Sequence, residues 1–247
     1  MHPNDSIPIL TDHEPAELLV HDDLAPCPYM DGRQARLPLR MPIRSLEPAE
    51  FDLRLADGDR RHGRMLYRPT CPDCSHCEAI RLEVNDFRLH KTHRRVLRQG
   101  DLHLRLEVST PRASRARVAL YDKHLTVRKL RSGTDDTMTL GRYRQFLADS
   151  CCDTVEITYW DGDTLVGVAI ADRGEQSLSA HYCFYDPDRK GWSLGTYSIL
   201  KQLELCRQWN LRYLYLGLYV AGNPHMRYKG SFLPHERLID GAWRLFR

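Results

Sequence analysis

An α+β fold in two unequal parts is what this sequence predicts: a small cysteine-bearing N-terminal domain, then a mixed sheet flanked by helices. Three observations carry that expectation. Four cysteines gather near the front, Cys27 and the run Cys71-Pro72-Asp73-Cys74-Ser75-His76-Cys77. Three β-rich runs, Val155 to Trp160, Thr164 to Ala171 and Ser177 to Tyr185, are joined by Asp161-Gly162-Asp163 and Arg173-Gly174-Glu175, both hairpin signals. Beyond them lie a helical run from Leu194 and the almost wholly apolar stretch Tyr213 to Val220, as a buried central strand should be.

In chain order, residues 1–25 read as a loose acidic leader, 26–108 as the N-terminal domain and 109–247 as the second. Between Cys27 and Pro42 the turn residues point to short strands. A helix starts near Ser45, with Glu47 and Pro48 in its first turn and Phe51 and Leu55 behind, and Asp57-Gly58-Asp59 ends it. Arg64 to Tyr67 and Ala79 to Val84 read as strands on either side of the cysteine run, which is therefore a loop. His93 to Gly100 is a basic helix that Gly100 should stop. Leu102 to Val108 alternates as a strand does. A long helix is expected from Pro111 to about Arg131 and another over Leu140 to Ala148. The helix from Leu194 carries Tyr197, Leu200, Leu203 and Cys206 on one side, and Asn210 closes it.

Charge is spread unevenly. The formal net charge is +3. From Arg88 to Arg131 thirteen Lys or Arg face three acids, a local +10 that leaves −7 for the remainder. Such a block inside an otherwise acidic chain points to a polyanion, nucleic-acid phosphate first. The first 25 residues hold six acids and no Lys or Arg, the opposite of a signal peptide's basic opening. No apolar run approaches the length of a membrane span. Eight cysteines in an unsecreted chain imply reduced thiols, and the expected compartment is the cytoplasm.

Three segments bear chemistry. Cys27, Cys71, Cys74 and Cys77 are a candidate ligand set for zinc or an iron–sulfur cluster, although the paired-knuckle spacing of a zinc ribbon is missing; a reduced, redox-sensitive cluster is the other reading. The turn Arg189-Lys190-Gly191-Trp192-Ser193-Leu194-Gly195 opens a helix, where free N–H groups and the dipole favour an anion; a basic loop with Ser193 as plain N-cap is the alternative. Past the last core strand, Gly222 to Gly230 brings Arg227, Tyr228 and Lys229 to the carboxyl end of a central strand, where ligand sites collect. Here the alternative is a surface loop with Tyr228 plugging the sheet edge.

Two resemblances follow. Three antiparallel strands, a basic Gly-bearing turn, a helix and a buried strand are similar to the core of the GNAT-like acyltransferases, although the turn lacks their tight glycine spacing. Further, Tyr67-Arg68-Pro69 with the cysteines, Phe184-Tyr185-Asp186-Pro187, Ser193-Leu194-Gly195-Thr196, Tyr215-Leu216-Gly217 and Met226-x-Tyr228-Lys229 occur in that order. Together they resemble the aminoacyl-tRNA–protein transferases of the N-degron pathway. Pro26-Cys27-Pro28-Tyr29 and Cys-x-x-Cys-x-x-Cys are similar to the bacterial aspartate/glutamate leucyltransferase branch. The resemblance covers about residues 20–246.

It implies transfer of leucine from leucyl-tRNA to a protein with N-terminal Asp or Glu, no cofactor being required for the transfer. The basic block, with Arg94, Arg95 and Arg98, and the turn at Arg189, Lys190, Ser193 and Gly195 would then face tRNA. Tyr219, Tyr228 and Lys229 would serve the transfer. An acidic acceptor side chain wants a bidentate arginine, for which Arg68 stands first and Arg33 second, with Tyr67 beside them. Eukaryotic arginyltransferases carry a Cys-x-x-Cys and a later adjacent pair linked to an iron–sulfur cluster; Met30 stands here where their second early cysteine would fall. Two other functions stay open: the same transfer from arginyl-tRNA, and a metal-ribbon RNA-binding module without transferase activity.

Overall fold

The computed structural model describes residues 9–131 and 137–247. Among these the chain forms β1 (Glu17–His21), β2 (Leu24–Pro26), β3 (Gln34–Arg36), β4 (Leu39–Pro42), α1 (Pro48–Ala56), β5 (Arg60–His62), β6 (Met65–Tyr67) and β7 (Glu78–Glu83). Then come α2 (Lys91–His103), β8 (Arg105–Ser109), α3 (Arg115–Val127) and α4 (Leu140–Tyr143), which runs on into a π-turn over Arg144–Ala148. The last part is β9 (Asp153–Asp161), β10 (Thr164–Arg173), β11 (Ser177–Tyr185), α5 (Leu194–Gln208), β12 (Tyr213–Tyr219), β13 (His235–Ile239) and β14 (Ala242–Phe246).

Eight strands make one large mixed sheet in the order β14-β13-β7-β12-β11-β10-β9-β8. Only β11 and β12 run parallel within it, as the helix α5 between them requires. Alternation along β10 decides what covers each face. Ala169 and Ala171 meet α2 and α5 through Val96, Leu97, Tyr197, Leu200 and Leu203. Val168 and Ile170 point the other way, onto Leu120, Tyr121 and Leu125 of α3 and Tyr143 of α4. A second sheet, β1-β4-β6-β5, packs with α1 through Phe51, Leu55 and Leu66 against Tyr215 of β12. Strands β2 and β3 form a separate ribbon. The α+β layering and the helix-flanked mixed sheet are as the sequence predicts.

Four details differ from the sequence reading. Within the stretch read as a leader, residues 17–21 form β1, and Glu17 is fully buried between Arg54 (2.6 Å) and Arg40 (3.0 Å). Gly100 does not stop α2, which continues to His103; a Cβ there would lie 2.3 Å from the Tyr197 ring, so the glycine lets α2 close on α5. Strand β7 leaves the cysteine loop for the large sheet, pairing with β12 and β13. The C-terminal hairpin β13–β14 has no counterpart in the sequence reading. No helix of the described residues is long and apolar enough to cross a membrane.

Candidate active site

The site begins where two parallel strands part. β11 and β12 pair only at Ser177–Tyr213, Leu178–Leu214 and Ser179–Tyr215, although both run on, to Tyr185 and Tyr219. Where the pairing with β11 has ended, β12 breaks register against its other neighbour β7 beside Gly217, whose φ is +86°. Parting strands leave main-chain carbonyls without ladder partners, and buried carbonyls need them. Two cationic side chains answer. Arg60 of β5 donates to the Ala180 carbonyl (3.2 Å) and to Ser179 Oγ (3.1 Å), while Lys229 Nζ donates to the Leu218 carbonyl (2.7 Å). Gly217 is required by this packing as well as by its φ, since a Cβ would lie 2.9 Å from Arg60 Nη2.

Lys229 belongs to a 3-10 turn over Arg227–Ser231, directly after β12. Among the described residues its amine meets, besides Leu218, only Met226 Sδ, at 3.7 Å. Burial, aided by the nearby Arg60 charge, lowers it to about 7. Tyr228 keeps 45% of its surface exposed and interacts electrostatically with Cys183, Tyr185 and Arg128. Tyr185 ends β11 and accepts a hydrogen bond from Arg128, which follows α3. Gly195 in the first turn of α5 faces the same ring, its Cβ position 3.4 Å from Tyr185 Cε1. Tyr219 lies under the Arg237 guanidinium (4.7 Å) and against Gly230, whose Cβ position is 3.0 Å from Cε2. Tyr219, Tyr228, Lys229 and Gly195 thus line the open end of the parted strands.

The N-terminal part closes one wall. Tyr67 and Tyr29 approach through their hydroxyls at 3.4 Å, and burial pushes Tyr29 well up. Tyr29 feels both Arg60 and Cys77, and its carbonyl accepts from Asn223 Nδ2 (2.8 Å). Arg68 lies beside this wall, tied to the Asp57 carbonyl (2.8 Å) and to buried Asp59 (3.2 Å). Arg33 is exposed, its carbonyl accepting from Cys27 N–H (2.8 Å).

Two further sets sit outside the cleft. Arg94, Arg95 and Arg98 are exposed, opposite the buried His93, Val96, Leu97 and Gly100 of α2. The turn before α5 joins the other end of that helix, Trp192 stacking on His103 at 5.8 Å. Arg189 is paired with Asp161 (3.2 Å), Lys190 is exposed, and Ser193 adopts φ +48° without capping through its side chain. Glu156 of β9 is fully buried and gripped by Arg117 (2.9 and 3.0 Å), which makes it structural. The four front thiols are neighbours. Burial and the charges of Cys27, Cys71 and Cys74 push Cys77 up to about 12, and Arg36 N–H points at Cys71 Sγ (3.4 Å). Four soft donors suit zinc or an iron–sulfur cluster in chemistry, but among the described residues no three close into ligand geometry.

Arg60 and Arg128 are residues the sequence reading passed over, and Tyr29 entered it only as part of a motif. Two family models match the chain: the N terminus of arginine-tRNA-protein transferase over residues 25–95, and its C terminus over residues 116–239. The chain belongs to this family. The transferase is 38% identical over 218 residues to an aspartate/glutamate leucyltransferase of Alkalilimnicola ehrlichii, covering 88% of this chain and 90% of that one. It is 34% identical over 219 residues to the protein of the same description in Acinetobacter baylyi, covering 88% and 80%. Among solved structures, L-PGS from Bacillus licheniformis aligns with a TM-score of 0.45 and 13% identity, over 69% of the transferase and 58% of that chain.

Proposed function

We propose that this chain transfers leucine from leucyl-tRNA to the N-terminal Asp or Glu of acceptor proteins, in the cytoplasm, making an N-degron. The leucyltransferase relatives support the donor and the acceptors. The observation that carries the chemistry is a buried amine, held at about 7, where β11 and β12 part. On this reading the cleft is the groove of a GNAT-like acyl-transfer domain, with a tRNA 3′ end where coenzyme A would lie. The exposed stripe of Arg94, Arg95 and Arg98 and the turn at Arg189, Lys190, Ser193 and Gly195 take tRNA phosphate.

The reaction is aminolysis of an ester. The acceptor's α-amine has an ordinary pKa of about 8, so a useful fraction is neutral near pH 7. Its nitrogen attacks the aminoacyl carbonyl, the new C–N bond forms, and the bond to the ribose oxygen breaks. One proton must leave the nitrogen and one must reach the departing oxygen. An amine with pKa near 7 can take the first and return it as the second. Tyr228 and Tyr219 supply donors and walls that align the ester and bear the charge developing on its oxygen. Cys27, Cys71, Cys74 and Cys77 lie behind the Tyr29 wall, Cys77 near enough for its charge to act on Tyr29, and no step passes through them.

Labelled Leu-tRNA and Arg-tRNA, each given with peptides starting Asp, Glu or Ala, test the reading. Leucine should enter the Asp and Glu peptides alone. Incorporation from Arg-tRNA instead would move the chain to the arginyl reaction, and none from either would leave the RNA-binding reading.

A further inference from the structure

Arg60 is buried, half-buried Lys229 lies near enough to feel its charge, and among the described residues neither has an acidic partner. Arg60 is 8% exposed. Its neighbours in sequence are paired: Asp59 with Arg40 (2.5 Å), Arg61 with Asp172 (2.8 Å). Arg60 itself meets only the neutral oxygens of Ser179 and Ala180, and Lys229 only a carbonyl and a thioether. Among the described residues no carboxylate reaches either. A guanidinium cannot shed its charge, and burying one unpaired is costly unless an anion arrives. Nη1 and Nη2 each spend one N–H on these oxygens, which leaves three of the five donors for an anion.

We propose that Arg60 is the floor of a carboxylate-binding site, and that its ligand is the side-chain carboxylate of the acceptor's first residue. The site rests on the transferase reading above and says which residue reads the acid. Several things on the structure favour that occupant. Gly217, Ser179 and Tyr29 are the guanidinium's neighbours, small or flat groups that suit a slim planar ligand better than a chain of phosphates. Lys229 lies within electrostatic reach of Arg60, so a carboxylate on Arg60 brings the adjoining α-amine toward the group that takes its proton. Arg68, the sequence's first choice, already spends donors on Asp57 and buried Asp59. An Asn or Gln start would present an amide to the fork and leave the cation uncompensated.

The test is the ratio of kcat/KM for peptides beginning Asp and Asn, measured with Leu-tRNA on wild type, Arg60→Gln and Arg68→Ala. A purely structural role would lower both rates together and leave the ratio alone. Loss of one partner of a buried charge pair predicts that the ratio falls about 30-fold or more in Arg60→Gln. Arg68→Ala should keep most of it. A preserved ratio in Arg60→Gln, or a collapse in Arg68→Ala instead, overturns the assignment. Should Arg60→Gln fail to fold, Arg60→Lys keeps a cation but loses the fork; an unchanged KM for the Asp peptide there is equally fatal. Calorimetric binding of the same peptides to tRNA-free protein separates this site from the reaction. Selective binding of the Asp peptide, lost in the variant, upholds the site even if no transfer occurs. Equal binding of Asp and Asn peptides by the wild type refutes it.

Discussion

Burial of Lys229 between β12 and the turn that follows works against the fold. Its folded pKa is about 7, against roughly 10.4 in an unfolded chain. Between those values the unfolded state holds a proton that the folded state has released, so wild-type stability rises with pH across that window. Lys229→Met removes the amine and with it that dependence. The variant should melt higher than wild type at pH 7, with the gain shrinking to nothing as pH approaches 10.4, as thermal scans across pH would show. Transfer should meanwhile fall about 100-fold or more. A variant that melts lower at pH 7 would mean that the hydrogen bond to Leu218 outweighs the burial cost. Tyr228 and Lys229 were legible in sequence because they lie side by side in a Gly-bounded loop after an apolar strand. Arg60 was not. Its interest comes from lacking an acid, and that is visible only once Ser179, Ala180 and Gly217 are brought around it.

Local patterning gave the elements wherever turn chemistry and period agreed. β9, β10 and β11 were readable from alternation broken by Asp161-Gly162-Asp163 and Arg173-Gly174-Glu175. β1 was hidden because its buried Glu17 reads as one more acid in an acidic stretch, and only Arg54 and Arg40 make it a core residue. β13–β14 was hidden because Arg237 and Arg244 interrupt its apolar pattern, yet Arg237 packs on Phe246 at 3.5 Å. Gly100 shows a local signal overridden by packing. As a helix residue alanine is favoured over glycine by about 1 kcal/mol. Here the added methyl meets the Tyr197 ring, which is 1% exposed and has nowhere to move. Overpacking of this kind costs about 1–3 kcal/mol and here should exceed the propensity gain. Gly100→Ala is therefore expected to lower the urea midpoint, and a higher one would show that α2 can slide on α5.

At the scale of the whole molecule, acid should be the weak point. Burial holds His124 at about 4 and keeps His62, His93, His181 and His235 below the ordinary histidine range. Below about pH 6.5 the unfolded chain takes up protons that these folded sites refuse, so stability falls with falling pH. For His124 alone the loss between pH 6.5 and 5 is about 2 kcal/mol, and it is complete once pH drops through 4. Urea unfolding at pH 7 and pH 5 should show the drop, and His124→Gln should shrink it; a stability flat over that range would contradict the burial of these rings. The sheet order sets another limit. β7 comes from the stretch that matches the N-terminal family model, yet it lies between β12 and β13, which come from the C-terminal one. A chain divided between residues 95 and 116 would leave each fragment with a raw strand edge and no partner to cover it. A new front half could be accepted only if its own β7 fitted between β12 and β13.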